Sequence, residues 1–186
     1  SGPAPEALRS LGRGGAHELL GEPFSVSTQP AARFWERKLN LRQTSWIGDH
    51  RIRGQVIFPG AGYVEMALSA ARQAYGSQAL VLRAVRFERM LELDEEGEHT
   101  LQTVLFTQGP DVGSIQIARQ DGSRWVRHAV GNVQPAAAGQ APPPPPPHPA
   151  TLQQRSREHY DKAQLYGAVA KNGGAYGPLF QTVAEL

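Results

Sequence analysis

One histidine in this sequence stands where chemistry can be built around it. In the stretch DHRIRGQVIFPGAGYVEMALSAARQAY, from Asp49 to Tyr75, His50 precedes a glycine at Gly54 and a Pro59-Gly60 break, and an apolar segment follows directly. Imidazole changes charge near neutral pH, so a histidine facing a cleft can take a proton as a general base. Proline suits a helix start, because the N–H it lacks is not needed there. The first-turn amides of Gly60 and its neighbours are then left free as donors. Such amides could polarise a carbonyl, and a base beside an electrophilic clamp is what proton removal next to a carbonyl requires. Taken alone, a histidine is more often a satisfied surface or core residue than a catalytic one, so the elements around it must decide.

The other histidines build no competing site. His17, His99, His128, His148 and His159 form no helical i, i+4 pair and no carboxylate-paired zinc spacing, and Gly60-Ala61-Gly62 lacks the rest of a dinucleotide fingerprint. No metal and no nucleotide is expected.

The elements that must position His50 follow from periodicity. Between Ala61 and Tyr75 the polar residues Glu65, Ser69, Arg72 and Gln73 fall on one narrow helical stripe, so the rest of the helix, Leu68 included, is expected to be buried. A helix this apolar needs wrapping, and a curved sheet is the usual wrapper in a small domain. Strand patterns lie on both sides of it. Before it come Leu19-Leu20, an alternating run from Phe24 to Thr28, and Phe34 to Leu39; Trp46-Ile47 lead to His50 at a strand-to-loop junction. After it come Val85 to Arg89, Leu101 to Phe106, Ser114 to Ala118 and Trp125 to Val130, punctuated by Gly109-Pro110-Asp111 and Asp121-Gly122. A helix is expected over Arg157 to Asn172, stopped by Gly173-Gly174. The expected fold class is α+β, an antiparallel sheet around one helix.

Composition excludes several classes of function. With 40% hydrophobic residues and a net charge of +2 in 186 residues, this is not a disordered chain, and 19 basic against 17 acidic residues leave no nucleic-acid footprint. There is no cysteine, hence no disulfide, thiol nucleophile or thiolate metal site, which fits a reducing cytoplasm. No run of 18 apolar residues and no basic-then-apolar leader occurs, so no membrane association is expected.

Four stretches together resemble one family. His50-x3-Gly54-x4-Pro59 resembles the HxxxGxxxxP motif of the dehydratase domains of modular polyketide synthases, and FPGAGYVEMAL is similar to the start of that family's hot-dog helix. HELLGEPF, from His17 to Phe24, resembles the opening HPLLG strand, with Glu18 where proline is usual. SRWVRHAVGNV, from Ser123 to Val133, is similar to the strand closing the first hot dog. NGGAYGPLFQ resembles the GYxYGPxFQ motif that begins the second, with Gly174 where a larger residue is usual and Thr182 where glycine is. Nearly the whole chain from His17 is covered.

The resemblance implies the first half of a double hot dog, acting as a hydro-lyase that removes water from a β-hydroxyacyl thioester in polyketide biosynthesis. His50 would take the α-proton, and the N–H of Gly60 would hold the thioester carbonyl. Gly54 and Pro59 complete the motif, and Tyr176, Gly177 and Pro178 would line the substrate tunnel, although Tyr176 reads equally as a core aromatic. The family's acid is an aspartate of the second hot dog, in a DxxxQ or DxxxH motif, and no such motif follows Phe180 here. No cofactor is expected to bind directly, because the substrate rides on the phosphopantetheine of acyl carrier protein. Expected partners are that carrier, neighbouring synthase domains and a second copy in a homodimer, with no nucleic acid and no membrane, in the cytoplasm. Related catalysts share the histidine: a double-bond isomerase, an oxa-Michael cyclase and a product-template domain. A catalytically silent docking or dimerising domain and a stand-alone hot-dog thioesterase are the remaining alternatives.

The expected organisation is an upstream linker over residues 1–16 and an N-terminal hot dog over 17–134. A proline-rich linker over 135–150 follows, and then the truncated start of a second hot dog over 151–186. Six consecutive prolines from Pro142 to Pro147 make an extended polyproline II rod, read as a spacer rather than a ligand for a proline-recognition module.

Overall fold

The computed structural model describes residues 17–76, 79–107, 109, 112–136, 145–156 and 158–184. The expected linker at 1–16, the turn residues Pro110 and Asp111, and Pro142 to Pro144 of the proline run lie outside these. In chain order the strands are β1 (Glu22–Phe24), β2 (Ala32–Leu39), β3 (His50–Ile52), β4 (Gln55–Ile57), β5 (Leu80–Phe87), β6 (Glu92–Leu93), β7 (His99–Thr107), β8 (Gly113–Asp121), β9 (Arg124–Pro135) and β10 (Gly174–Tyr176). The α-helices are α1 (Gly60–Tyr75), α2 (Pro149–Arg155) and α3 (Lys162–Lys171), with 3-10 helices at Ser45–Asp49 and Pro178–Phe180. The described residues divide into one unit made of those up to 38, 61–88 and 100–135, and another made of 39–60, 89–99 and those from 136 on.

The first unit is a six-stranded sheet in the order β1-β2-β7-β8-β9-β5, antiparallel where β1 meets β2, β7 meets β8, β8 meets β9 and β9 meets β5. Its strands form because β-branched and aliphatic residues alternate with polar ones: Ile115 and Ile117 of β8 are buried while Ser114 and Gln116 are half-buried. Helix α1 packs on this sheet with Tyr63, Met66, Ala67, Ala70 and Ala71 buried. The Tyr63 ring centroid lies 5.8 Å from that of Phe87, and the indole Nε1 of the buried Trp35 donates to Gln73 Oε1 at 2.8 Å. This is the α+β hot-dog fold that the sequence implies.

Several local expectations need correction. Leu19-Leu20 is a tight turn rather than a strand, because the amides of Leu20 and Gly21 both return to the carbonyl of His17 and Gly21 takes φ +78°. The run from Phe24 to Thr28 is a strand only as far as Phe24; beyond it Gln29 N–H donates to Val26 O and closes a turn. Ser69 is buried, its hydroxyl donating to Glu65 Oε1 at 3.1 Å, whereas Leu68 is only half-buried. A satisfied hydroxyl is cheap to hide, so the buried arc of α1 rotates toward it. Strand β5 is longer than its alternating segment, and a bulge between Arg83 and Arg86 lets Val85 and Phe87 stay exposed. The expected helix over 157–172 begins only at Lys162, because Asp161 and Gln164 close a capping box at its start.

The second unit holds a four-stranded sheet in the order β10-β3-β4-β6. Strands β3 and β4 form a hairpin with Ile52 opposite Gln55, and its two turn residues, Arg53 and Gly54, have φ of 51° and 82°. Two successive positive φ values are the signature of a type I′ turn, whose twist matches that of its strands. The core of this unit includes Ile47, Val56, Ile57, Phe58, Leu91 and Leu93. Strand β10, in the segment expected to open a second hot dog, pairs with the histidine strand, placing Tyr176 opposite His50.

Candidate active site

His50 is the first residue of β3, immediately after the 3-10 helix Ser45–Asp49, and it is half-buried. The hairpin brings the carbonyl of Ile57 across to it, 2.7 Å from Nδ1. A carbonyl oxygen can only accept, so Nδ1 carries the proton and Nε2 of the neutral ring is left with its lone pair free. Two aromatic rings pack against the imidazole as well. Tyr176 stacks on it with centroids 5.1 Å apart and planes at 19°, and Phe180 lies 5.1 Å away at 51°. Phe180 in turn stacks on Trp46 at 6.2 Å, and Tyr166 meets Tyr176 edge-on at 6.5 Å. The arrangement is an oriented imidazole in an aromatic surround, with the acceptor nitrogen opposite the tethered one.

The other expected site residues fall in different places. Pro59 is buried and Gly60 opens α1, so the Gly60 amide belongs to the first helical turn, where no carbonyl within the helix can take it. Gly54 is exposed at the hairpin tip, and its part is to close the turn that returns Ile57 to His50. Gly177 caps the helix Pro178–Phe180, with Pro178 at its first position. Tyr176 and Gly177 also line a groove of about 360 Å³ with Arg51, Ala175 and Tyr166. Pro178 does not line it. At Gly174, where the resemblance leads one to expect a larger residue, there is no room for one: a Cβ would meet Val169 Cγ1 at 2.6 Å.

Three contributors to this surround carry no obvious signal in the sequence. Phe180 lies inside the YGPLFQ motif but reads as core, and the carbonyl of Ile57 is visible only once the hairpin register is known. Asp49, directly before the histidine, accepts from the Leu179 amide through its carboxylate at 3.1 Å. Among the described residues there is no cluster of three or more His, Cys, Asp or Glu able to hold a metal ion.

The polyketide synthase dehydratase domain profile matches residues 17–120, more than half of the chain. The chain belongs to this family. It is 34% identical over 170 residues to the phthioceranic/hydroxyphthioceranic acid synthase of Mycobacterium tuberculosis, covering 90% of this chain and 8% of that protein. To a highly reducing polyketide synthase of Purpureocillium lilacinum it is 32% identical over 181 residues, or 91% of this chain and 7% of that one. This dehydratase-family chain thus spans under a tenth of the length of these relatives. Its fold is similar to that of the dehydratase domain from the CurF module of curacin polyketide synthase, with a TM-score of 0.81 at 24% identity over 92% of this chain and 62% of that one. The dehydratase domain of PpsC from Mycobacterium tuberculosis in complex with C12:1-CoA matches with a TM-score of 0.75 at 26% identity, covering 92% of this chain and 59% of that one.

Proposed function

We propose that this domain dehydrates a β-hydroxyacyl thioester carried on the phosphopantetheine of acyl carrier protein, giving an α,β-unsaturated acyl chain. The observation that carries the reading is the hydrogen bond of 2.7 Å between His50 Nδ1 and Ile57 O. It leaves Nε2 as an oriented proton acceptor, which is what abstraction of an α-proton needs.

Nε2 of His50 takes the α-proton while the Gly60 amide stabilises charge gathering on the thioester oxygen. The C–H electrons form the Cα=Cβ bond, the Cβ–O bond breaks, and the leaving hydroxyl departs as water after receiving a proton. For that proton the resemblance names an aspartate beyond residue 186. The aromatic surround of Trp46, Tyr176 and Phe180 offers apolar walls to an acyl chain. The similarity to the PpsC dehydratase domain in complex with C12:1-CoA supports an acyl thioester as the substrate class. The working assembly we infer is a homodimer within a larger cytoplasmic synthase, receiving substrate from the carrier.

The test supplies the full polypeptide with a β-hydroxyacyl thioester on acyl carrier protein and identifies the product by mass and enoyl absorbance. Loss of one water with a conjugated double bond is expected. A shifted double bond, or a cyclic ether with the mass of the enoyl product but no conjugated double bond, would instead identify an isomerase or an oxa-Michael cyclase, and no turnover in the intact polypeptide a silent domain.

A further inference from the structure

We propose that Asp49 is a positioning residue: through the turn from Gly177 to Phe180 it holds the rings that fix the imidazole of His50. The inference rests on the reading of His50 as the base of the dehydration.

Asp49 grips this turn twice. Its main-chain carbonyl accepts from Gly177 N–H at 2.7 Å, and its carboxylate Oδ2 accepts from Leu179 N–H at 3.1 Å, across 130 residues of sequence. The short helix Pro178–Phe180 cannot cap itself, because Gly177 at the N-cap has no side chain and Pro178 at the first position has no N–H. The Leu179 amide is therefore the first free donor of that helix, and Asp49 satisfies it from another part of the chain.

The glycine at 177 points the same way. Its φ of -74° and ψ of 178° suit any residue, so backbone conformation does not require glycine there. Space does, because a Cβ would run into the Asp49 carboxylate. Tyr176 immediately precedes this glycine and Phe180 ends the helix, and both ring centroids lie 5.1 Å from that of His50. The Ile57 carbonyl restrains one edge of the imidazole, whereas Tyr176 stacks against the ring and Phe180 packs beside them both. Carboxylate, turn and rings act together, and loosening the first frees the last.

The test compares Asp49→Ala, Asp49→Asn and Gly177→Ala in the full polypeptide, with two readouts. Carbethoxylation of each histidine by diethyl pyrocarbonate, resolved by peptide mass, reports access to the His50 ring without relying on turnover. Dehydration kinetics report its use. In Asp49→Ala the labelling of His50 should rise severalfold while that of His17 and His128 does not change, and kcat should fall about tenfold to a hundredfold with KM nearly constant, as expected for misplaced geometry. Asparagine still presents an acceptor to Leu179, so Asp49→Asn should recover most of both readouts, and Gly177→Ala should behave like Asp49→Ala. A purely structural role would raise labelling at every histidine. Wild-type labelling of His50 in Asp49→Ala, or an Asp49→Asn as damaged as the alanine variant, would overturn the proposal. If Asp49→Ala does not fold, the contrast between Asp49→Asn and Gly177→Ala decides it. Should His50→Ala leave dehydration intact, the reading of the base falls, while the labelling still shows whether Asp49 holds the ring.

Discussion

The imidazole of His50 is bonded through Nδ1 to the carbonyl oxygen of Ile57, 2.7 Å away and seven residues on, across a hairpin whose turn is Arg53-Gly54. That relationship explains why a histidine, a glycine and a proline stand at this spacing. The glycine permits the turn, the turn returns Ile57 to the ring, and the proline then starts the helix whose first amides are free. Each step serves a different physical need, and in the proposed reaction the histidine and the first helical amide are the groups that meet the substrate.

Gly54 has φ +82°, and no atom lies within 4 Å of the place a Cβ would take, so its substitution meets backbone strain rather than crowding. An L residue held in the left-handed region costs about 1–2 kcal/mol. Gly54→Ala should lower stability by that amount in denaturant unfolding, and kcat should drop as the hairpin relaxes. Gly54→Asn should be milder, since asparagine tolerates this region.

Helix α1 should respond unequally along its circumference. Met66 is 0% exposed, so Met66→Ala should cost about 2–5 kcal/mol through lost contacts and a cavity. Arg72 is exposed and lies 3.6 Å from Glu65 Oε1, and Arg72→Ala should cost about 0.5 kcal/mol or less. Equal losses in chemical denaturation would contradict the wrapped-helix packing.

Legibility follows the reach of the interactions. The helix after Pro59 can be read from sequence because a polar stripe at helical spacing has no other simple cause, and β7, β8 and β9 because alternation and turn residues agree. Ser69 is buried and Leu68 only half-buried because a hydroxyl satisfied by Glu65 is not polar in the sense that periodicity assumes. The start of α3 is a different case, since Asp161 and Gln164 spell a capping box and apolar spacing alone overruns that local signal. The ring contacts of Tyr176 and Phe180 with His50 are not legible at all, because they depend on pairing between segments far apart in the chain.

The Trp35–Gln73 bond should be worth more than its exposed partner suggests. The indole is 1% exposed, so Gln73→Ala leaves a buried N–H without its acceptor, at a cost of about 1–3 kcal/mol. Gln73→Glu keeps an acceptor and should lose little. Thermal unfolding of the two variants measures the difference.

Burial pushes the phenol of Tyr63 above its ordinary value of 10.0. The folded state then keeps a proton that the unfolded state releases, so stability falls as pH rises beyond about 10 and is unaffected below it. Unfolding free energies between about pH 8 and 11 should show this alkaline loss, and Tyr63→Phe should lessen it. An identical pH dependence in both proteins would show that Tyr63 is not its source.

The role of His50 as the base is tested most directly by His50→Ala in the full polypeptide, with the fold checked by circular dichroism and turnover followed on a β-hydroxyacyl thioester. Removing a general base typically costs about 10²–10⁴ in rate. A loss of that size in kcat with the fold unchanged is the expected result; dehydration at near wild-type rate by a folded His50→Ala protein would contradict it.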